Sequence, residues 1–82
     1  MTEYRYDTQL LIENCRIDRD ALIELITKTE GDSLLVVGDE ELMKVHFHTN
    51  EPWETLKCCA SVGEIFDIVV EDMIRQSNGL QG

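Results

Sequence analysis

The 82 residues are enough for one domain and too few for a nucleotide-binding fold together with a substrate domain. Seventeen acidic against seven basic residues give a net charge of −10, which argues against nucleic acid and anionic membranes as partners, because both attract Lys and Arg. The hydrophobic share of 43% and the charged share of 29% are typical of a globular protein rather than a disordered chain.

The cysteines indicate a reducing compartment. Cys15, Cys58 and Cys59 are odd in number and form no Cys-x-x-Cys pair, so they do not build a disulfide framework. The first residues lack the apolar stretch of a secretory signal, and the apolar run 34–37 is far too short to span a membrane. We therefore expect a cytoplasmic protein.

The first half of the chain predicts two strands and one helix. Apolar and polar residues alternate over 4–13, which is the pattern of a half-buried strand. Asp18 is a good N-cap for a helix that runs to about residue 29, and Gly31 suits its C-terminal stop. The apolar run 33–37 predicts a largely buried strand that ends before a hairpin turn at 38–41.

The second half predicts a strand, a helix and a last strand. Alternation over 42–49 predicts the third strand, and Asn50 would cap a helix that tolerates Pro52 in its first turn. We expect the buried side of this helix to carry Trp53, Leu56 and Ala60. The last strand is predicted over 64–71, before a short helical turn at 72–76, with inward-facing Phe66, Ile68 and Val70.

This order of elements predicts an α+β fold, a ferredoxin-like β-α-β-β-α-β two-layer sandwich with a four-stranded antiparallel sheet. Both helices would cover one face of the sheet, and the first and third strands would be its central neighbours. We expect one domain over 1–76 and a flexible tail over 77–82. The uncovered sheet face would carry a mixture of apolar and polar side chains: Arg5, Asp7, Gln9, Leu11, Leu35, Val37, Lys44, His46, His48 and Val69.

The sharpest candidate for chemistry is the pair His46 and His48 in the third strand. Residues two apart in a strand project from one face, with Cα atoms roughly 6.5–7 Å apart, so two imidazoles can converge on one ion. The third strand ends beside the start of the first strand, where Asp7 has the matching parity. These three residues form a candidate site for zinc or another divalent metal. Solvated polar surface is the alternative for an exposed His-x-His pair, and that alternative stays open.

Other candidates for chemistry are weaker. Cys58 and Cys59 fall in the second predicted helix and are expected to serve packing. The acidic residues 39–41 have the spacing of a solvated turn rather than of a calcium loop. The sequence contains no glycine-rich phosphate loop, so no nucleotide-binding motif is present and catalysis by this chain alone is not expected.

Three segments carry a family resemblance. The run 31–40, Gly-Asp-Ser-Leu-Leu-Val-Val-Gly-Asp-Glu, and the run 44–50, Lys-Val-His-Phe-His-Thr-Asn, followed by Pro52, resemble dihydroxyacetone-kinase-like proteins related to the ATP-binding component of bacterial fatty acid kinase. Gly-Glu-Ile at 63–65, Asp-Ile at 67–68 and Glu-Asp-Met at 71–73 add to the resemblance. The similarity covers about residues 6–76 and lies in the middle domain of that family.

The resemblance implies a role beside a kinase. In that family an N-terminal domain binds ATP and magnesium, and a C-terminal domain resembles the DegV-type fatty-acid-binding proteins. The middle domain is a ferredoxin-like module that binds zinc through one cysteine and two histidines. The two histidines correspond to His46 and His48. Nothing in this sequence resembles the other two domains, so kinase activity would have to come from other chains.

One ligand position departs from the family pattern. The family cysteine lies in a Tyr-Cys-Thr string, and the matching string here is Tyr6-Asp7-Thr8. Asp7 can ligate zinc through oxygen, but a carboxylate is a harder ligand than a thiolate and shifts the preference among metals. Three outcomes stay open: weaker zinc binding, another metal, or a site that has lost its metal.

The expected function is a non-catalytic binding or assembly module that binds a divalent metal through the His-x-His pair. It would associate with itself or with a kinase-type protein through the uncovered sheet face. A small metal-dependent hydrolase and a small-ligand sensor are the alternatives. The initial methionine and the polar residues after 76 favour a free-standing relative of the middle domain over an excised piece of a longer protein.

Overall fold

The structure is a computed structural model that describes residues 3–82, so the first two residues of the predicted 1–76 domain lie outside the described residues. Its elements follow the predicted order: β1 Tyr6–Glu13, α1 Arg19–Ile26, β2 Gly31–Gly38, β3 Leu42–Thr49, α2 Pro52–Ala60, β4 Glu64–Asp72 and α3 Met73–Ser77. The four strands form one sheet in the order β2-β3-β1-β4, and every neighbouring pair is antiparallel. The predicted ferredoxin-like arrangement is confirmed.

The core lies between one face of the sheet and the helices α1 and α2. Alternate residues of the central strands β1 and β3 point into it, because successive side chains of a strand project to opposite faces. Each fully buried apolar side chain contributes about 1.5–3 kcal/mol relative to its exposed state. The buried apolar residues are Leu10, Ile12, Cys15, Leu22, Ile26, Val36, Met43, Val45, Phe47 and Cys59.

Helix α1 is shorter than predicted. Asp18 is its N-cap as expected, and the Asp18 carboxylate accepts a hydrogen bond from the Ala21 N–H at 2.8 Å. The helix ends at Ile26, so Gly31 is not its stop but the first residue of β2. A Cβ at Gly31 would overlap the Phe47 ring, so the close approach of β2 to β3 requires glycine there.

Helix α2 presents a different face from the predicted one. Its N-cap is Glu51, not Asn50, whose side chain accepts a hydrogen bond from the Arg5 N–H at 2.8 Å instead. Trp53 is 58% exposed and Ala60 is also exposed, so the prediction that they are buried was wrong. The buried stripe follows i, i+3, i+7 spacing from the first helical residue, with partly buried Leu56 beside it: Pro52, Thr55 and Cys59.

A β-bulge in β4 reverses the predicted orientation of its side chains. Asp67 has a φ of 50°, and the pairing with β1 shifts between Gln9 and Leu11. A bulge inserts one residue and therefore inverts the in-out alternation beyond it. Phe66 shares the open face with Leu11 and is 36% exposed, and Ile68 is 46% exposed, so the expectation that both face inward was wrong. Val70 faces the helices as expected, opposite the buried Thr8.

The open sheet face holds most of the predicted side chains. Strand register places these residues on it: Asp7, Gln9, Leu11, Leu35, Val37, Lys44, His46, His48 and Val69. Arg5 is not among them, because it precedes β1 and its guanidinium contacts Asp72 at 2.7 Å. Two residues that the pattern missed, Asp32 and Phe66, join the face because each lies beside a bulge.

The C-terminal residues fold back on α3. The Leu80 N–H donates to the Arg75 carbonyl, and the Arg75 guanidinium donates to the Gln81 carbonyl, each at 2.9 Å. The flexibility of 77–82 in solution stays a prediction. Across residues 3–82, no helix combines the length and the apolar character that a membrane crossing needs.

Candidate metal centre

Strand register brings the predicted ligands together. Asp7 on β1 pairs with His48 on β3, and Gln9 pairs with His46, so the three candidate side chains share one face at one end of the central strand pair. The Asp7 Oδ1 lies 2.8 Å from His46 Nε2 and 3.8 Å from His48 Nε2. The two Nε2 atoms are 3.1 Å apart. The three residues form a cluster that could hold a metal ion, and their role as ligands stays a prediction.

The spacing of the donor atoms fits an ion of the size of zinc. Four-coordinate zinc with metal–nitrogen bonds of about 2.0–2.1 Å keeps its ligand atoms about 3.3 Å apart. The three observed separations, 2.8, 3.1 and 3.8 Å, lie on both sides of that value. Side-chain rotations of a few tenths of an ångström would bring all three atoms to bonding distance.

The Asp7 carboxylate has an unsatisfied oxygen at the centre of this cluster. Its Oδ1 is buried and has no hydrogen-bond partner, although His46 Nε2 is only 2.8 Å away, because distance alone does not aim a donor hydrogen at the oxygen. A buried carboxylate oxygen without a partner is costly, and a cation removes that cost. An orphaned oxygen facing two imidazole nitrogens is therefore the chemistry of a cation site.

Two further polar side chains approach the cluster from outside. Gln9 Nε2 donates to the other Asp7 oxygen, Oδ2, at 3.4 Å, which turns Oδ1 towards the histidines. Asp32 Oδ1 lies 3.6 Å from His48 Nδ1, on the ring nitrogen that faces away from Asp7. Asp32 was not a predicted site residue. Its position depends on the bulge in β2, for which the alternation of the sequence holds no signal.

The site lies on a sheet face rather than in a deep cleft. The side chains of Asp7, His48 and His46 are 18%, 23% and 32% exposed. A shallow hollow of about 180 Å³ lies farther along the same face, and its lining consists of other residues: Gln9, Leu10, Leu11, Lys44, Asp67 and Val69. The geometry therefore favours an ion held between strands over an ion held in a substrate pocket.

The cysteines lie elsewhere and serve packing. Cys59 is fully buried in the core, and burial, with smaller contributions from Cys58 and Cys15, raises the pKa of its thiol to about 12. A thiol with such a pKa stays protonated at neutral pH and is neither a nucleophile nor a ready metal ligand. The packing role predicted for Cys59 is confirmed.

Known proteins resemble this chain over most of its length. Residues 3–80 match the FakA-like family, described as the middle domain of fatty acid kinase-like proteins. An uncharacterized protein of Staphylococcus haemolyticus is 36% identical over 78 residues, which cover 90% of this chain and 14% of that protein. Protein YloV of Bacillus subtilis is 44% identical over 50 residues, which cover 61% of this chain and 9% of YloV.

The matches differ in how much of each protein they include. This chain spans 14% of the Staphylococcus haemolyticus protein and 9% of YloV, so most of each relative lies outside the similarity. Within this chain the family match is nearly complete, and it includes β1, β3 and the residues between them. The chain belongs to the FakA-like middle domain family of fatty acid kinase-like proteins.

Proposed function

We propose that this protein is a non-catalytic metal-binding and assembly module in which Asp7, His46 and His48 hold one divalent ion. The observation that carries the proposal is the buried, unpaired Asp7 Oδ1 facing the two Nε2 atoms. When bound, the ion would supply positive charge that ties β1 to β3 at this end of the sheet. Three protein ligands leave a coordination position for water or for a group from a partner.

The donor set limits the choice of ion. Two imidazole nitrogens and one carboxylate oxygen suit zinc and the neighbouring first-row divalent metals, whereas copper(I) prefers sulfur ligands. Because Asp7 stands where the family resemblance implies a cysteine, we expect weaker zinc binding than a thiolate would give. The same oxygen ligand makes manganese, iron(II) and cobalt better competitors.

Elemental analysis of the purified protein tests the site. The protein is prepared without chelators or a histidine tag, beside a His46→Ala, His48→Ala double variant and a Lys44→Ala control from the same face of β3. Near-stoichiometric metal in the wild type and the control, absent from the double variant, is the expected result. Wild-type protein that holds no metal and takes up none on titration would refute the proposal.

The assembly role rests on the open sheet face. Leu35, Val37, Phe66 and Val69 all lie on it, with exposures of 36–55%. Lys44 stands between Leu11 and Val37 across the neighbouring strands, so its ammonium group has apolar neighbours on both sides. An isologous contact with a second copy would bring the acidic groups of the partner face opposite Lys44 and cover the apolar residues.

Light scattering after size exclusion tests the assembly role. We expect a dimer that a Leu35→Asp, Val69→Asp variant dissociates, whereas Trp53→Gln, which removes an exposed apolar side chain from α2, leaves it intact. A monomer at high concentration would exclude the second copy as the occupant. Family membership makes a fatty acid kinase-type protein the other proposed partner of this face, and a pull-down with such a protein would then be the next test.

Location and catalysis complete the proposal. Cys15, Cys58 and Cys59 are free thiols, which supports a reducing, cytoplasmic setting. A hydrolase or a small-ligand sensor would need a cleft around the ion, and the position of the three ligands on a sheet face favours binding over catalysis. Kinase chemistry, if this domain takes part in it, is proposed to belong to other protein segments.

A further inference from the structure

We propose that Asp32 is a positioning residue that fixes His48 in the Nδ1–H tautomer, so that His48 Nε2 presents its lone pair to the metal centre. The inference rests on the proposed metal-binding function and assigns a role to a residue outside the ligand set. Asp32 pairs with His48 across β2 and β3, and its Oδ1 lies 3.6 Å from His48 Nδ1.

A bulge in β2 is what places Asp32 there. Asp32 pairs with His48 and Leu35 pairs with His46, so Ser33 and the following leucine both lie opposite the single residue Phe47. Simple alternation back from Leu35 would put Ser33 on the open face and turn Asp32 towards the helices. The inserted residue inverts that parity and turns Asp32 onto the face of His48.

The backbone at this bulge is strained. Ser33 has a φ of 55°, in the left-handed region that residues other than glycine rarely adopt. Two residues earlier, a Cβ on Gly31 would overlap the Phe47 ring and the His48 carbonyl oxygen, so β2 is pressed tightly against β3 here. Strained backbone of this kind persists where surrounding structure enforces it and is concentrated at functional sites. Here its effect is to bring a carboxylate to an imidazole.

The chemistry of imidazole gives this contact its consequence. A neutral histidine carries one N–H and one lone pair, and the partner of one ring nitrogen decides the state of the other. A carboxylate only accepts, so Asp32 beside Nδ1 favours the proton on Nδ1 and the lone pair on Nε2. Asp32 is 53% exposed, so its side chain has the freedom to close the gap to a hydrogen bond of about 2.8 Å.

Asp32 cannot itself be a ligand of the same ion. It approaches the ring nitrogen opposite the one that faces Asp7, and the imidazole therefore stands between Asp32 and the centre. Carboxylates in this outer position commonly orient metal-bound histidines. The 3.1 Å contact between the two Nε2 atoms fits the assignment, because that contact needs one donor and one acceptor. Asp32 makes His48 the acceptor and leaves His46 as the donor.

The two histidines are not equivalent in this respect. The β2 neighbour of His46 is Leu35, which offers no acceptor, whereas the β2 neighbour of His48 is Asp32. Loss of Asp32 should therefore change the tautomer of His48 and leave that of His46 unchanged. His46 serves as an internal control in every sample.

Long-range ¹H–¹⁵N NMR of the metal-free protein, at a pH where both imidazoles are neutral, reads the tautomers directly. We expect His48 to be predominantly Nδ1–H in the wild type and to shift towards Nε2–H in Asp32→Ala. Asp32→Asn keeps an acceptor oxygen and should retain the wild-type tautomer. A wild-type His48 that is predominantly Nε2–H would overturn the assignment without any variant having to fold.

Zinc affinity, measured by competition with a chromophoric chelator, tests the consequence. We expect Asp32→Ala to weaken binding about 10–100-fold, and Asp32→Asn to weaken it less. Glu71→Gln is the matched control: Glu71 pairs with Asp7 on the other side of the cluster, and its carboxylate accepts from Gln76 rather than from an imidazole. Near wild-type affinity is expected for this control.

The outcomes separate the two proposals. Equal losses in Asp32→Ala and Glu71→Gln would mean that the effect is general charge, and unchanged affinity in Asp32→Ala would mean that Asp32 does not act on the site. If the wild type binds no zinc at all, the metal-binding proposal fails. The tautomer of His48 in the metal-free protein still decides the assignment of Asp32.

Discussion

Asp7 pairs with His48 across the central strands, yet its Oδ1 lies closer to His46, at 2.8 Å against 3.8 Å. The carboxylate leans along the diagonal of the strand pair, and the hydrogen bond from Gln9 to Oδ2 supports that lean. One oxygen thereby faces both imidazoles. The arrangement explains how a single carboxylate can complete a site whose two histidines are neighbours on another strand.

Replacement of Asp7 by cysteine should strengthen zinc binding. A thiolate is a softer and stronger zinc ligand than a carboxylate, so we expect Asp7→Cys to raise the affinity on the order of tenfold, about 1.4 kcal/mol. Asp7→Asn, which removes the negative charge at nearly the same volume, should lower it. Competition titration of both variants measures the effect, and a cysteine variant weaker than the wild type would show that Asp7 does not occupy a ligand position.

Metal should raise the thermal stability of the folded protein. An ion that binds only the native state at 100 times its dissociation constant adds about 2.7 kcal/mol to the free energy of unfolding. For a domain of this size that corresponds to a rise in Tm of about 10–20 °C. Thermal melts with zinc and with a chelator measure the difference. The His46→Ala, His48→Ala variant should show equal Tm values in both conditions.

The contact between Gly31 and Phe47 should behave as a coupled pair. Gly31→Ala places a methyl group in the Phe47 ring, and such overpacking costs about 1–3 kcal/mol. Phe47→Leu leaves a small cavity on its own but creates room for that methyl group. In urea denaturation we expect the double variant to be more stable than the sum of the single effects predicts. Strict additivity would mean that β2 moves away from β3 to relieve the clash.

Asp72 should make stability depend on acidic pH. Burial alone would raise the pKa of its carboxyl, but hydrogen bonds from the Arg75 backbone N–H, the Arg5 guanidinium and the Ile74 backbone N–H lower it. A group whose folded-state pKa is depressed contributes stability above its unfolded pKa, about 3.9, and loses it as the pH falls through the folded value.

Denaturation curves between pH 2 and pH 6, taken to span that titration, measure the dependence. We expect Asp72→Asn to be less stable than the wild type at pH 6 and the difference to shrink as the pH falls below about 4. Asp18→Asn is a suitable control, because Asp18 caps α1 in the same way without an arginine partner in its hydrogen bonds. A difference that is constant across this range would contradict the assigned role of Asp72.

Much of the fold and of the site could be predicted because period-two alternation is local information. Alternation over β1 and β3 assigned Asp7, His46 and His48 to one face, and the order of elements made the two strands neighbours. Helix faces were predicted less well. The start of α2 at Pro52 turned Trp53 outward, and a shift of one residue moves a side chain about 100° around a helix.

The sequence by itself determined the sheet, its central strands and the face that carries the two histidines, because these follow from the spacing of apolar residues. Only the tertiary structure decided which acidic groups surround them. Bulges at Ser33 and Asp67 invert the parity of β2 and β4, and they arise from how those edge strands pack on their neighbours rather than from any local pattern. Asp32 reaches His48 for that reason, and Phe66 is exposed on the open face for the same one.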